Sequence, residues 1–214
     1  PLPLDANPAY RLNLSGAWTN LAHALLAAPP GAAGREPFAR ASLAARTALQ
    51  LLHDVECAHS AFAEMSLRAR RALVTALGER LVAAEVAGAS TASLASEATD
   101  AVDDGLAIAR AWEQRGVAQL RPLSLRLFRL GAQLYRLHQP QFLAEFVTEN
   151  LALPAFAADA EFRAIADETL ERALAAARRP QLFVAGTVDA EKRLATVQDL
   201  RAAQRQISAL GSTL

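Results

Sequence analysis

One short stretch of this sequence gathers the residue types that bind metals or take part in acid–base chemistry: His53, Asp54, Glu56, Cys57 and His59. Glu56 and His59 stand three residues apart. That spacing puts a carboxylate and an imidazole on one face of a helix, as in di-iron carboxylate bundles. A complete site needs a second Glu-x-x-His motif, and the sequence contains none. We therefore expect no metal and no other cofactor, and Glu56 and His59 are the candidate ligands if a metal is bound.

The same residues can also have simple structural roles. His59 falls on a predicted apolar stripe, or seam, which favours a hydrogen-bonded histidine in the core. The seam consists of Ala41, Ala45, Ala48, Leu52, Val55, His59 and Phe62. Cys57 lies in an apolar helical stretch, where a cysteine usually packs as a small hydrophobic residue. Each of the histidines could serve as a haem ligand, so none is singled out. The sequence has no nucleophile-elbow, phosphate-loop, dinucleotide-binding or CxxC motif. An enzyme is therefore not favoured.

A basic helix is the best-defined candidate for binding. Five arginines and no acidic residue lie between positions 115 and 136, and the arginines are Arg115, Arg121, Arg126, Arg129 and Arg136. A heptad-like stripe on the same helix predicts its buried side: Leu123, Leu127, Leu130, Leu134 and Leu137. Arginine binds carboxylates bidentately and is enriched at interfaces. These five arginines are therefore the predicted contacts for a protein partner with an acidic surface or an acidic helix.

The segregated charges can instead have a purely internal role. The preceding segment is acidic and carries Glu97, Asp100, Asp103 and Asp104. If the two helices pack antiparallel, the opposite charges can neutralise each other inside the fold, which is the commoner reason for such segregation. Nucleic acid is disfavoured as a partner because no aromatic residues lie between the arginines to stack on bases. Contact with a membrane surface is a weaker alternative.

The composition predicts an all-α protein. Hydrophobic residues make up 52% of the 214 residues and aromatic residues only 6%, with alanine and leucine dominant. These residues favour helices over strands. Short joints rich in proline and glycine separate about seven or eight helices, which indicates an antiparallel bundle. The bundle is elongated if residues 36–87 form one continuous helix, and less so if that helix is kinked near residues 60–66.

The predicted organisation has two parts. Residues 1–34 form an extended segment, over positions 1–14, followed by a short helix that begins at Ser15. Residues 35–214 form the helical bundle, on which we expect that first helix to pack as part of one domain. The stretch 181–187 is the one candidate for extended structure, because it contains adjacent large apolar residues.

The functional hypothesis is an interaction, scaffold or regulatory domain that binds a partner, or another copy of itself, through helix surfaces. A helical sensor domain for a small apolar ligand is one alternative, and a di-metal or haem bundle enzyme is another. The balance of 22 basic and 22 acidic residues provides no general attraction for polyanions. The first residues do not match a signal-peptide pattern, so we expect none, and the sequence has no apolar run long enough to span a bilayer. Cys57 is the single cysteine. We expect a cytoplasmic location.

Overall fold

The computed structural model describes residues 7–28, 36–177 and 190–212. Within those ranges it contains nine α-helices and no strand, which confirms the predicted all-α fold. The helices are α1 (Pro8–Ala27), α2 (Glu36–Leu52), α3 (Ser60–Val86), α4 (Ala92–Gln114), α5 (Arg121–His138), α6 (Leu143–Leu151), α7 (Pro154–Ala158), α8 (Ala160–Ala177) and α9 (Ala190–Ser212). Short 3-10 turns precede α5 and α6, at Ala118–Leu120 and Pro140–Phe142.

The contacts of the chain fall into two compact units, one ending at Leu130 and one beginning at Gly131. The predicted boundary at position 34 and the predicted extended stretch 181–187 both lie outside the described residues. The division into 1–34 and 35–214 therefore stays a prediction.

Consecutive helices of the first unit pack antiparallel. Near the start of α1, Arg11 Nε donates to the carbonyl oxygen of Leu51, at the end of α2, at 2.8 Å. In the next pair, Arg80 near the end of α3 donates to Ser42 Oγ near the start of α2, at 3.2 Å. Helix α1 packs against α3 as well as against α2.

Alanine allows this close packing. Ala41, Ala45 and Ala48 form the predicted seam on α2, and all three are completely buried. A methyl group is the smallest side chain that still covers apolar surface, so the helix axes can come close together. The predicted continuation of the seam to His59 is wrong, because α2 ends at Leu52 and residues 53–58 form turns. The segment 36–87 is therefore two helices rather than one.

The first helix begins at Pro8, not at Ser15 as predicted. The Asn7 side chain caps it by accepting a hydrogen bond from the backbone N–H of Ala9 at 3.0 Å. Pro8 occupies the first turn, where its missing N–H costs no helical hydrogen bond. Pro8 lies inside the predicted extended segment 1–14 and instead starts the helix.

The second unit is built around α8. Helix α9 packs along α8, and α6 contacts both of them. Phe156 of α7 stacks on Phe162 of α8 with ring centroids 4.3 Å apart, and both rings are completely buried. On α9, Leu200, Ala203 and Ile207 form the buried face. This unit also contains the last part of α5, where Tyr135 stacks on Phe146 of α6 with centroids 4.6 Å apart.

Candidate partner-binding surface

The orientation of α5 determines which of its arginines reach solvent. In the first unit its buried side consists of Ser124, Leu127 and Phe128. Ser124 Oγ donates to the Leu120 carbonyl oxygen at 3.0 Å, which allows a hydroxyl to sit in the core. The predicted leucine stripe is only partly buried. Leu127 and Leu134 are in the core, Leu123 and Leu130 are half-buried, and Leu137 is 58% exposed.

Arg126 and Arg129 lie on the exposed side of α5. In the part of the chain that the structure describes, neither guanidinium forms a hydrogen bond or an ion pair. Arg136 lies farther along α5, in the second unit, and is half-buried. Arg126 and Arg129 are therefore available to a partner without breaking an internal contact.

Arg115 and Arg121 have internal contacts instead. Arg121 forms an ion pair with Glu113, whose side chain is only 8% exposed. Arg115 lies over the Trp112 ring, with its guanidinium carbon 4.8 Å from the ring centroid, and donates to the Cys57 carbonyl oxygen at 3.2 Å. Arg121 joins the start of α5 to the end of α4, and Arg115 joins the end of α4 to the turn between α2 and α3. A partner contact for either of them remains an untested prediction.

The acidic helix α4 directs several of its carboxylates towards helices other than α5. Glu97 pairs with Arg46 of α2 at 2.5 Å, and Asp104 pairs with an arginine of α3 at 3.4 Å. Glu113 pairs with Arg121, the first residue of α5. Acidic residues of α4 therefore neutralise α5 at its first residue, Arg121. They form no ion pair with Arg126 or Arg129 in the described residues.

Three arginines and a histidine extend this basic surface across three helices. We call His23 of α1, Arg68 and Arg71 of α3, and Arg126 of α5 the Arg71 cluster. Arg71 Nη2 lies 3.4 Å from His23 Nε2, and the half-buried Arg71 has no carboxylate partner in the described residues. Arg68 is exposed and pairs with Glu64 one helical turn away, at 2.6 Å.

The electrostatics of the cluster show that its charges are incompletely compensated. Burial, together with repulsion from Arg126 and then Arg68, lowers the pKa of Arg71. Burial and the positive charges of Arg71 and Arg68 lower the pKa of His23. Because arginine can only donate, His23 Nε2 accepts in the contact with Arg71, and the ring proton is assigned to Nδ1. The three arginines repel one another, and an added anion would relieve that repulsion.

A glycine of α4 lies where side chains of both α3 and α5 pack against that helix. A Cβ atom at Gly105 of α4 would overlap Leu127 Cδ2 of α5 and would lie 3.5 Å from Leu67 Cδ2 of α3. The absence of that Cβ lets the Leu127 side chain pack directly against the α4 backbone. Arg126 adjoins Leu127, and Arg71 follows Leu67 by one helical turn, in keeping with the repulsion from Arg126 that lowers the pKa of Arg71.

The sequence also explains why the charges of the cluster are not compensated. Neither α1 nor α5 contains an aspartate or a glutamate. On α3, Glu64 is the acid within one turn of Arg68. Sequence reasoning identified Arg126 but missed His23, Arg68 and Arg71. The absence of acids from α1 was an available signal, but the pairing of α1 with α3 was needed to use it.

The metal candidates do not form a joint site in the structure. Glu56 lies in the turn after α2, where it accepts hydrogen bonds from Ser66 Oγ at 2.6 Å and from Arg70 Nη2 at 3.2 Å. His59 is the N-cap of α3, and its Nδ1 accepts from the backbone N–H of Ala61 at 3.1 Å. The prediction that His59 is a core residue is wrong, since it is exposed. No group of three or more metal-ligating side chains occurs in the described ranges.

None of the described helices combines the length and the hydropathy that a bilayer-spanning segment requires. No protein-family model matches the chain, and no curated protein matches it in sequence. Among solved structures, the chain is similar to the crystal structure of the de novo designed helical repeat protein DHR64, with a TM-score of 0.58 and 18% sequence identity. The match covers 96% of this chain and 100% of the designed one. At this identity the likeness shows the fold alone, which is helical-repeat-like.

Proposed function

We propose that the chain is a helical scaffold domain that binds an acidic segment of a partner protein through the basic surface of its first unit. This surface consists of Arg126 and Arg129 together with the Arg71 cluster. The observation that carries the proposal is the group of arginines on α3 and α5 that repel one another, with no acid on α5 and with Glu64 as the one acid within a helical turn of Arg68 on α3. The helical-repeat-like fold suits such a role, because packed helices present extended, rigid surfaces. The single cysteine fits a reducing, cytoplasmic setting.

Charge complementarity determines the kind of partner. Exposed arginines form bidentate hydrogen bonds with carboxylates while their aliphatic stems cover apolar surface. Two exposed arginines on one helix, one turn apart, match glutamates spaced by one turn on a partner helix. A second copy of this chain is a special case of such a partner, since exposed carboxylates of its helix α4 could bind the arginines.

The test is the charge reversal Arg126→Glu with Arg129→Glu. A fluorescent Glu/Ala peptide that forms an acidic helix serves as the probe, and its affinity is measured by anisotropy at low and at moderate salt. The wild type should bind the peptide, with weaker binding at the higher salt concentration. The reversed pair should bind it about tenfold or more weakly, equivalent to ~1.4 kcal/mol. Its melting temperature should stay close to that of the wild type, since neither arginine has an internal partner.

The matched control is Arg40→Glu with Arg201→Glu, which makes the same change in total charge at exposed arginines on α2 and α9. It should bind the peptide nearly as well as the wild type. If both pairs weaken binding equally, only net charge matters and the proposed surface is wrong. If the Arg126 and Arg129 pair loses stability instead of affinity, the arginines have an internal role. Sedimentation at several protein concentrations shows whether the partner is a second copy.

A further inference from the structure

We propose that the Arg71 cluster binds a phosphate monoester on the partner polypeptide, so that phosphorylation of the partner controls its binding. This inference rests on the proposed function, because it places the phosphate within the acidic segment that the basic surface recognises. It names the chemical group for which His23, Arg68, Arg71 and Arg126 are suited.

The first argument is the charge of the cluster. Arg68, Arg71 and Arg126 contribute three positive charges, and Glu64 contributes one negative charge through its ion pair with Arg68. Three minus one leaves a net charge of +2, with His23 neutral. A carboxylate would neutralise half of this excess. A phosphate monoester carries a charge of about −1.5 to −2 at neutral pH and would neutralise most or all of it.

The second argument is the arrangement of donors. Arg71 is half-buried, whereas Arg68 and Arg126 are exposed. The three guanidinium groups come from two helices, α3 and α5, whose side chains both pack against α4 at Gly105. A planar carboxylate presents two oxygens in one direction, but a phosphate presents three acceptor oxygens that different guanidinium groups can reach. A half-buried arginine also forms stronger charge-assisted hydrogen bonds than a fully solvated one.

The third argument favours a phosphate on a polypeptide over a phosphate on a lipid headgroup. A membrane-binding basic helix places exposed large apolar side chains beside its cations so that they can enter the lipid. In the first unit, the leucines and the phenylalanine of α5 are buried or half-buried, and residues 64–71 of α3 include no exposed large hydrophobic residue. On α1 the exposed Leu21 stands two residues from His23, a spacing that places it on a different face of the helix. The cluster therefore has the charge for a phosphate but lacks apolar residues on the same faces for insertion into a bilayer.

The experiment uses three peptides with the same acidic sequence and a different central residue: phosphoserine, serine or glutamate. The wild-type chain should bind the phosphoserine peptide about tenfold more tightly than the serine peptide, equivalent to ~1.4 kcal/mol. The glutamate peptide should bind much more like the serine peptide, because one carboxylate compensates less charge. Inorganic phosphate should reduce this preference and leave the binding of the serine peptide nearly unchanged.

The informative variant is Arg71→Gln, with Arg40→Gln on α2 as the matched control. Arg71→Gln should remove the preference for phosphoserine and keep binding of the serine peptide, because Arg126 and Arg129 remain. Arg71→Lys should keep part of the preference, since the charge is retained without the planar fork. Arg126→Gln, at an exposed position that should not affect folding, should also reduce the preference. Arg40→Gln should behave like the wild type.

Each contrary result has a distinct meaning. If the wild type binds all three peptides equally, the phosphate site is wrong and the proposed function stands. If none of the peptides binds, the proposed function itself is wrong. If Arg71→Gln retains the full preference for phosphoserine, the phosphate binds elsewhere. If vesicles that contain a phosphoinositide bind more tightly than the phosphopeptide at equal phosphate concentration, the cluster recognises lipid and the peptide proposal is overturned.

Discussion

At the scale of single residues, Gly105 has the clearest consequence for stability. Replacing a helical glycine by alanine normally stabilises a helix by about 1 kcal/mol. At Gly105 the new methyl group would overlap Leu127 Cδ2 and would lie 3.0 Å from Arg70 Cδ. Overpacking a core costs about 1–3 kcal/mol. We expect Gly105→Ala to lower the free energy of unfolding by about 1 kcal/mol or more, measured by urea denaturation.

Gly78→Ala provides the matched control. Gly78 also lies inside a helix, α3, and nothing lies within 4 Å of the position its Cβ would take. This variant should gain about 0.5–1 kcal/mol from helix propensity. Equal effects of the two substitutions would show that the close approach at Gly105 does not limit packing.

His23 predicts a dependence of stability on pH. Its pKa is lowered in the folded chain by burial and by the charges of Arg71 and Arg68. The unfolded chain therefore takes up a proton at His23 at a higher pH than the folded chain does. As the pH falls below about 6.5, proton uptake by the unfolded state reduces stability. Thermal melts of wild type and His23→Gln between pH 7.5 and pH 5 should show a smaller decrease for the variant. Parallel curves would mean that His23 has no part in this dependence.

Residue types alone predicted part of the exposed face of α5, and partner binding there stays a prediction. The exposed positions of Arg126 and Arg129 follow from the apolar pattern of α5, and the structure agrees with them. Glu56 and His59 were grouped because they stand three residues apart, which assumes that they share a helix. The chain turns between them, so Glu56 faces Arg70 and His59 caps α3. Arg71 could not be identified from the sequence, because its importance depends on which helices surround it.

At the scale of secondary-structure elements, the turn between α2 and α3 depends on a nearly buried ion pair. The side chains of Glu56 and Arg70 are 12% and 10% exposed, and Glu56 also accepts a hydrogen bond from Ser66. Removing one member of a buried pair leaves the other charge uncompensated. We expect Glu56→Ala to lower the free energy of unfolding by about 3 kcal/mol, since Asp104 still offers Arg70 a weaker partner.

His59→Ala is the control for this prediction, because it changes the other end of the same turn. Loss of the N-cap hydrogen bond should cost about 1 kcal/mol. Urea denaturation of both variants compares the two contributions. A loss with Glu56→Ala no larger than with His59→Ala would show that the ion pair is not what stabilises the turn.

The elements themselves were predicted with unequal success, for physical reasons. Alanines at regular steps in the sequence identified α2 and its seam, and the structure buries these alanines completely. The end of α2 was not marked, since neither proline nor glycine occurs between residues 38 and 77. The chain turns there without a proline or a glycine, and the turn is held by the ion pair between Glu56 and Arg70 of α3. On α5 the stripe of leucines was assigned to the core, yet the buried residues include Ser124 and Phe128, and Leu137 is exposed. Ser124 can be buried because its hydroxyl donates a hydrogen bond to the helix backbone.

At the scale of the whole molecule, the all-α class follows from composition, but the arrangement of helices does not. No repeat of fixed period is visible in the sequence, and the structure is nevertheless similar to a designed helical repeat protein. Antiparallel helices stack through apolar seams, and different residues can form equivalent seams. The balance of 22 basic and 22 acidic residues likewise conceals the local excess of cations on the first unit. Total charge therefore says little about where this chain binds.

The turn between α2 and α3 also makes the chain convenient for optical measurement. Cys57 is exposed in that turn and is the single cysteine of the sequence. The indole N–H of Trp112 donates to the Glu56 carbonyl oxygen at 3.4 Å, next to Cys57. A thiol-reactive energy acceptor attached to Cys57 would therefore lie close to a fluorescent indole on α4. In a variant with the other tryptophan replaced, Trp18→Phe, quenching of the Trp112 emission would report whether α4 stays against the turn as the chain is heated or as a partner binds.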